Sequence, residues 1–222
     1  MKLPQVTLVC VEGTDKQENI LDALNALKIS SKNIEFSKIV LIAPLLTSDF
    51  PSNMIFEKIE KVSWIGYNHF MVHKLNEYIH TEYCITIQND GFILNSNLWT
   101  DEFLNYDFIG HAWDFIKCPF QVNGVSKEIV QQKGISNLNR VGNGGFSLRS
   151  KKLLEASASI PIQCNGPEDV FICNDNYDYF IKKAIKYAPV ELADKFSKDY
   201  SQCKNDTFGF HGNKDIIKQI RI

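Results

Sequence analysis

Four short segments of the chain gather side chains that can do chemistry. The first is Gln88-Asn89-Asp90-Gly91-Phe92, directly after the apolar run Tyr83–Ile87. A carboxylate at the carboxyl end of a buried strand stands where open α/β sheets bind ligands. It could hold a metal ion, or Asp-Gly could be an ordinary turn. The second is Val141-Gly142-Asn143-Gly144-Gly145-Phe146, with three glycines in four residues of a chain that has only 12. Such a segment lets backbone approach a ligand closely and offers amides to an oxyanion, or it merely shapes a loop entering a strand. Its spacing matches neither a Walker loop nor a dinucleotide fingerprint. The third is Gly166-Pro167-Glu168-Asp169-Val170. Adjacent acids after Gly-Pro favour a first helical turn, or one of them is a general base aimed into a cleft. The fourth is Phe208-Gly209-Phe210-His211-Gly212, a packed aromatic plug or a neutral imidazole ligand.

The remaining reactive residues point to structure. His69, His73 and His80 lie on or beside one expected helix, and His111 beside Trp113 is a weaker candidate. Cys10, Cys84, Cys118, Cys164, Cys173 and Cys203 include no pair two residues apart. Zinc ribbons and redox motifs need close pairs, so reduced, buried thiols are expected. Asn205-Asp206-Thr207 is formally a glycosylation sequon, read as accidental without an export signal. Trp99 and Trp113 could stack on a ligand or pack in the core.

These segments need a frame, and the apolar pattern supplies one. Val6–Val11 is a continuous β-branched run, as for a strand covered on both faces. Gly13-Thr14-Asp15 ends it and offers a helix cap, after which Ile20, Leu21, Leu24 and Leu27 recur at helical spacing. Lys38–Ala43 reads as a second buried strand stopped by Pro44, and Val62-Ser63-Trp64-Ile65 as a short third one. Met71, Leu75, Tyr78 and Ile79 mark one face of a helix between Asn68 and His80, and Tyr83–Ile87 is the next strand. The order β-α-β-β-α-β implies a mostly parallel sheet. Further on, Asp101–Tyr106 reads as a helical turn or two, Asp107–Gly110 and Phe146–Arg149 as strands, and Lys151–Ala158 and Asp178–Lys186 as helices. The polar stretch Gln121–Arg140 reads as a loop long enough for a lid or binding surface. No repeat or linker divides the chain, so a single domain is expected, with halves at about 1–92 and 93–222.

Composition narrows the class. At 222 residues roughly 70% of the unfolded surface can be buried without a disulfide or metal staple. With 44% hydrophobic and 23% charged residues, the chain is neither a disordered tail nor a coiled coil. A net charge of −2 and a pI of 6.2, without a basic run, argue against nucleic acid as partner. The longest strongly apolar stretch, Ile39–Leu46, has eight residues and a proline, whereas a membrane span needs about 20. The expectation is a cytoplasmic protein, or one peripheral at a membrane, complete or a module of a longer polypeptide.

In their order, the four segments resemble a GT-A glycosyltransferase. The stretch from Tyr67-Asn68 through Lys74, Tyr83 and Gln88-Asn89-Asp90 resembles the approach to the Asp-X-Asp motif of that superfamily. More closely, Gln88–Phe92, Trp99, Tyr106–Gly110, Trp113, Val141–Arg149, Glu168-Asp169-Val170 and Phe208–Gly212 resemble a family of poorly characterised glycosyltransferase-like domains, covering roughly residues 5 to 212. The resemblance implies an α/β, Rossmann-like GT-A fold with a mostly parallel central sheet flanked by helices. It implies transfer of a sugar from a nucleotide-sugar, uridine-linked in the first instance, to a glycan, lipid-linked glycan or other hydroxyl acceptor, as in polysaccharide biosynthesis.

Roles follow residue by residue from that resemblance. Asp90 stands at the last acid of Asp-X-Asp and, with His211, would hold Mn²⁺ or Mg²⁺ at the donor diphosphate. Val11, Glu12, Gly13 and Thr14 would face the nucleotide, with Asn68, Lys74, Gln88 and Asn89 also on the donor side. Gly142, Asn143, Gly144 and Gly145 would floor the donor sugar and acceptor. Asp169 would be the base of an inverting transfer and Glu168 would orient hydroxyls. Gln88 replaces the first acid of Asp-X-Asp, and a glutamine brings no charge to a metal. Two other readings stay open: a non-catalytic nucleotide-sugar-binding domain, and a metal-dependent nucleotidyltransferase or phosphohydrolase.

Overall fold

The computed structural model describes residues 1–113, 141–199 and 206–212. The expected loop at 121–140, Cys118, Cys203 and the sequon residue Asn205 lie outside them. The central sheet is built first from three parallel strands, β1 (Lys2–Val11), β2 (Glu35–Ala43) and β3 (Ile55–Lys58). β4 (Tyr83–Ile87) joins β1 in parallel on its other side. β7 (Phe146–Ser150) then pairs antiparallel with β4, and β6 (Phe108–Ile109) antiparallel with β7, giving the order β3-β2-β1-β4-β7-β6. A second sheet runs β5-β9-β8, from β5 (Phe92–Ile93), β9 (Gly209–His211) and β8 (Ser197–Asp199). The mostly parallel α/β sheet expected from the sequence is present.

Helix α1 (Gln17–Ser31) buries Ile20, Ala23, Leu24 and Leu27 at i, i+3, i+4 and i+7. Leu21, counted on that face in the sequence, is one step around the helix and 41% exposed. Its cap also differs: Lys16 occupies the N-cap without a side-chain bond. The Thr14 hydroxyl donates instead to Glu12 Oε1 at 2.7 Å, and Asp15 pairs with Lys61 at 3.0 Å. The third strand is displaced as well. Val62–Ile65 is not a strand; Ser63 accepts from the Gly66 amide at 3.1 Å and caps α2 (Trp64–His73). A capping hydroxyl outweighed the β-favouring neighbours. The edge strand is Ile55–Lys58, mostly solvent-facing and thus without an apolar signature.

Beyond β4 the helices are short. α3 (Lys151–Ser159) is capped by Ser150, whose hydroxyl accepts from Leu153 N at 3.0 Å. The turn Glu168–Val170 continues as a π-helical stretch, Phe171–Asp175. α4 (Tyr177–Lys182) ends earlier than the expected Lys186, since Ala184 adopts φ 56°, outside helical geometry. α5 (Val190–Phe196) leads into β8. One apolar cluster runs from Leu3 through Ile85 and Phe146 to Phe210, so residues of both halves share a core. Among the described residues no helix is long and apolar enough to cross a membrane.

Candidate functional site

The parallel strands β1 and β4 end side by side, and a cleft of about 270 Å³ opens at their carboxyl ends. That is near the lower size of small-molecule pockets. Val11, Glu12, Gly13, Thr14, Gln88 and Asn89, all residues that the resemblance would put on the donor side, line it. Glu12 is buried and braces the floor: its Oε1 accepts from both the amide and the hydroxyl of Thr14. Val62, Ser63, Trp64 and Tyr67 form the other wall. Trp64 stands 61% exposed at the start of α2, on the rim.

Two expected donor-side residues lie elsewhere. Asn68 is buried, with its amide donating to Trp64 O at 2.8 Å and its Oδ1 accepting from Glu168 N at 2.9 Å. It therefore ties α2 to the Glu168–Val170 turn. Lys74 follows the far end of α2 and pairs with exposed Glu77 at 3.0 Å. Ten residue steps along the helix, about 15 Å, take the chain from Trp64 to Lys74.

Next to the cleft, β9 brings His211 against the turn after β4. His211 Nε2 lies 2.9 Å from Gln88 Oε1 and 3.2 Å from Asp90 Oδ1. Backbone bonds lock the pairing, with Gly212 N donating to Asp90 O and Gln88 N to Gly145 O. The Gln88 amide nitrogen donates to the Tyr67 hydroxyl at 3.0 Å, which joins this cluster to the cleft wall. Burial and the nearby Glu168 charge raise the Tyr67 phenol above its ordinary range, so it stays protonated.

Among the described residues no three His, Cys, Asp or Glu side chains converge, yet Gln88 supplies a third donor atom. Neighbouring ligands in an octahedron of radius 2.1 Å lie about 3.0 Å apart. The two contacts to His211 Nε2, a hydrogen bond and an ion pair, have about that length. A carboxylate oxygen, an amide oxygen and an imidazole nitrogen suit a small divalent cation. The donor set fits, with one negative charge where Asp-X-Asp would bring two.

The carboxylates of the Glu168–Val170 turn have different hydrogen-bond partners. Glu168 was expected to orient hydroxyls, but it is buried and bonded through Oε1 to Arg149 Nη2 at 2.8 Å. Asp169 is half-buried; Oδ2 accepts from Gly144 N at 3.1 Å and Oδ1 from Val170 N at 2.7 Å. Burial first, and then the adjacent Glu168 charge, push its carboxyl up from 3.8 to about 7. A carboxylate with that affinity can take a proton near neutral pH.

The glycine segment joins the two groups. A Cβ on Gly145 would stand 2.2 Å from the His211 ring, and one on Gly144 would stand 1.7 Å from Glu168 Oε1. Asn143 turns the chain at φ 57°, and its side-chain oxygen accepts from Gly145 N at 3.1 Å. Trp113 lies against Gly142, where a Cβ would meet its ring at 2.0 Å.

Other candidates are structural. Trp99 packs edge-on to Phe103 and Phe208, and its indole N–H donates to Asp101. His111 Nδ1 lies 3.2 Å from the Ser197 carbonyl. The sequence reading missed Arg149, Ser147 and Thr86, polar residues on strands buried on both faces. In Phe-Ser-Leu-Arg-Ser the alternation puts Ser147 and Arg149 on what reads as a solvent-facing side, so the sequence carried no signal of their burial. Trp64 was hidden by its assignment to a strand.

Comparison with known proteins agrees with this architecture. The galactosyltransferase LgtC, in complex with donor and acceptor sugar analogues, superposes with a TM-score of 0.51 at 12% identity, over 93% of this chain and 86% of that one. A glycosyltransferase involved in glycosylating the major capsid of PBCV-1 gives 0.51 at 11% identity, over 93% and 91%. At such identities the likeness is one of fold, and the fold is GT-A. No curated protein matches the sequence. The family model described as "Protein of unknown function (DUF5672)" does match, over residues 45–211. That span runs from the end of β2 to His211 and takes in Gln88–Asp90, the glycine segment and Asp169, and this chain belongs to the family it defines.

Proposed function

We propose that the protein is a glycosyltransferase that moves a sugar from a nucleotide-sugar, uridine-linked in the first instance, to a hydroxyl of a glycan or lipid-linked glycan, with inversion. One observation carries this reading: Gly144 and Gly145, adjacent in the chain, each touch one half of a transfer site. Gly145 packs on the Gln88–Asp90–His211 cluster, and Gly144 on the acidic pair with the base-like Asp169. Adjacent Cα atoms are about 3.8 Å apart, so leaving-group chemistry and proton removal would meet over one dipeptide. The fold shared with the galactosyltransferase LgtC supports it.

In this reading the cleft binds the nucleotide. Thr14 occupies Glu12 Oε1, leaving the other carboxylate oxygen for a ribose hydroxyl, and the Trp64 indole offers a face to the base. Asp90, His211 and the Gln88 carbonyl would hold Mn²⁺ or Mg²⁺, which supplies positive charge to the departing diphosphate. Asp169 takes the proton of the acceptor hydroxyl on a carboxylate oxygen as that hydroxyl attacks the anomeric carbon. A single base facing away from the leaving group inverts the centre, as in inverting glycosidases.

The test is release of nucleoside diphosphate from UDP- and GDP-sugars, with candidate glycans as acceptors. Asp169→Asn is expected to slow it by at least ~100-fold while nucleotide binding persists. Near wild-type turnover in that variant would remove Asp169 from the role of base.

A further inference from the structure

A guanidinium without solvent contact is expensive to bury and must be met by the structure around it. Arg149, on β7, is 0% exposed. Its Nη2 donates to Glu168 Oε1 at 2.8 Å, its Nε donates to Ser147 Oγ at 3.0 Å, and its Cζ lies 5.8 Å from the Phe108 ring centre. Ser147 is held in turn by the Thr86 hydroxyl at 2.7 Å. For stability alone, well-packed apolar side chains serve as well as such a pair or better. The reason for this one lies in what it touches.

It encloses the Gly144 peptide. The Gly144 amide donates to Asp169 Oδ2 at 3.1 Å, and its carbonyl lies 3.3 and 3.4 Å from the Thr86 and Ser147 hydroxyls, one of which donates to it while the other donates to its hydroxyl neighbour. Its Cα faces the ion pair so closely that a Cβ would stand 1.7 Å from Glu168 Oε1 and 3.0 Å from Arg149 Nη2. Asp169 is thus placed from two sides, by its peptide bond to Glu168 and by the Gly144 amide. Arg149 or its partners restrain both.

We infer that Arg149 is a positioning residue of the candidate site: acting through Glu168 and Gly144, it holds the Asp169 carboxylate where that group can accept a proton. The inference rests on the reading of Asp169 as the base. Lysine at this position keeps the charge but lacks the planar fork that reaches Ser147 and Glu168 together.

The test follows two atoms by NMR, the Asp169 side-chain carboxyl carbon through a pH titration and the Gly144 amide through hydrogen exchange. Wild type is compared with Arg149→Lys and with the double variant Arg149→Met/Glu168→Leu, which leaves no buried charge unpaired. In the double variant Tm is expected to stay within about 5 °C. Gly144 should exchange at least ~10-fold faster, and the Asp169 midpoint should fall from about 7 by roughly one pH unit. Arg149→Lys should lie between.

A folded double variant with wild-type Gly144 exchange overturns the inference, because the Asp169 midpoint falls with loss of the Glu168 charge whether or not Arg149 positions it. If the double variant does not fold, Arg149→Lys decides: faster Gly144 exchange at wild-type Tm supports positioning, and wild-type exchange overturns it. Loss of folding in both assigns Arg149 to the fold alone and also overturns it. No nucleotide is needed, so a protein indifferent to every nucleotide-sugar refutes the transferase reading while leaving this result legible.

Discussion

Asp169 owes its proton affinity to where the chain places it. Burial and Glu168 raise it, while the Val170 and Gly144 amides and Arg149 pull it back, and the balance lies at about 7. Its folded value is above the 3.8 of an ordinary aspartate, so the folded protein binds this proton more tightly than the unfolded chain. The resulting stabilisation is complete below about pH 4 and is lost as pH rises toward 7. The slope is at most about 1.4 kcal/mol per pH unit, and less for a carboxylate that keeps some solvent contact. Asp169→Asn is therefore expected to flatten the fall of Tm between pH 4 and 8 and to be the more stable protein at pH 8. Parallel Tm–pH curves for the two proteins would contradict this balance. The same charge that costs stability at pH 8 is the one the proposed reaction needs.

At the scale of elements, the site depends on β9 being pressed against the turn after β4. The force is aromatic packing: Phe208 is closed to solvent, with ring centres of Trp99, Phe146 and Phe196 at 5.2, 6.1 and 5.7 Å. Phe208→Ala is expected to cost about 3–5 kcal/mol and to loosen His211 three residues on. On the proposed metal reading, a Phe208→Leu protein should keep most of its Tm yet bind Mn²⁺ measurably more weakly; unchanged Mn²⁺ affinity would separate β9 from the proposed cation site. Elements like β1, β2, β4 and α1 were readable from sequence because continuous apolar runs and 3.6-residue spacing reflect burial directly. β3 was not, since Ile55–Lys58 lies at an exposed edge, and Val62–Ile65 misled because one capping serine reversed what its neighbours favour. Asp90, His211 and the glycines were visible as types out of place in their surroundings. Arg149 was not, because an arginine in an alternating strand looks like a solvent-facing residue until the second face is known to be covered.

Across the whole molecule, the residues proposed for the donor side come from the first half, and Asp169, the glycine segment and His211 from the second. β7 pairs along β4 from Ile87–Phe146 to Tyr83–Ser150, and the core cluster spans both halves. We therefore propose one cooperative unit, for which calorimetry should show a single unfolding transition with matching calorimetric and van't Hoff enthalpies; two resolved transitions would contradict it. The central claim is that this unit binds a nucleotide-sugar beside a divalent cation. The most direct test is a thermal-shift panel of UDP-, GDP-, TDP- and CMP-sugars, each with and without Mn²⁺. A ligand at ~100 times its Kd adds about 2.7 kcal/mol, a rise of several degrees at this size. The expected result is a rise with one nucleotide class that grows when Mn²⁺ is present and disappears in Trp64→Ala. No rise with any donor at saturating concentration would contradict the account.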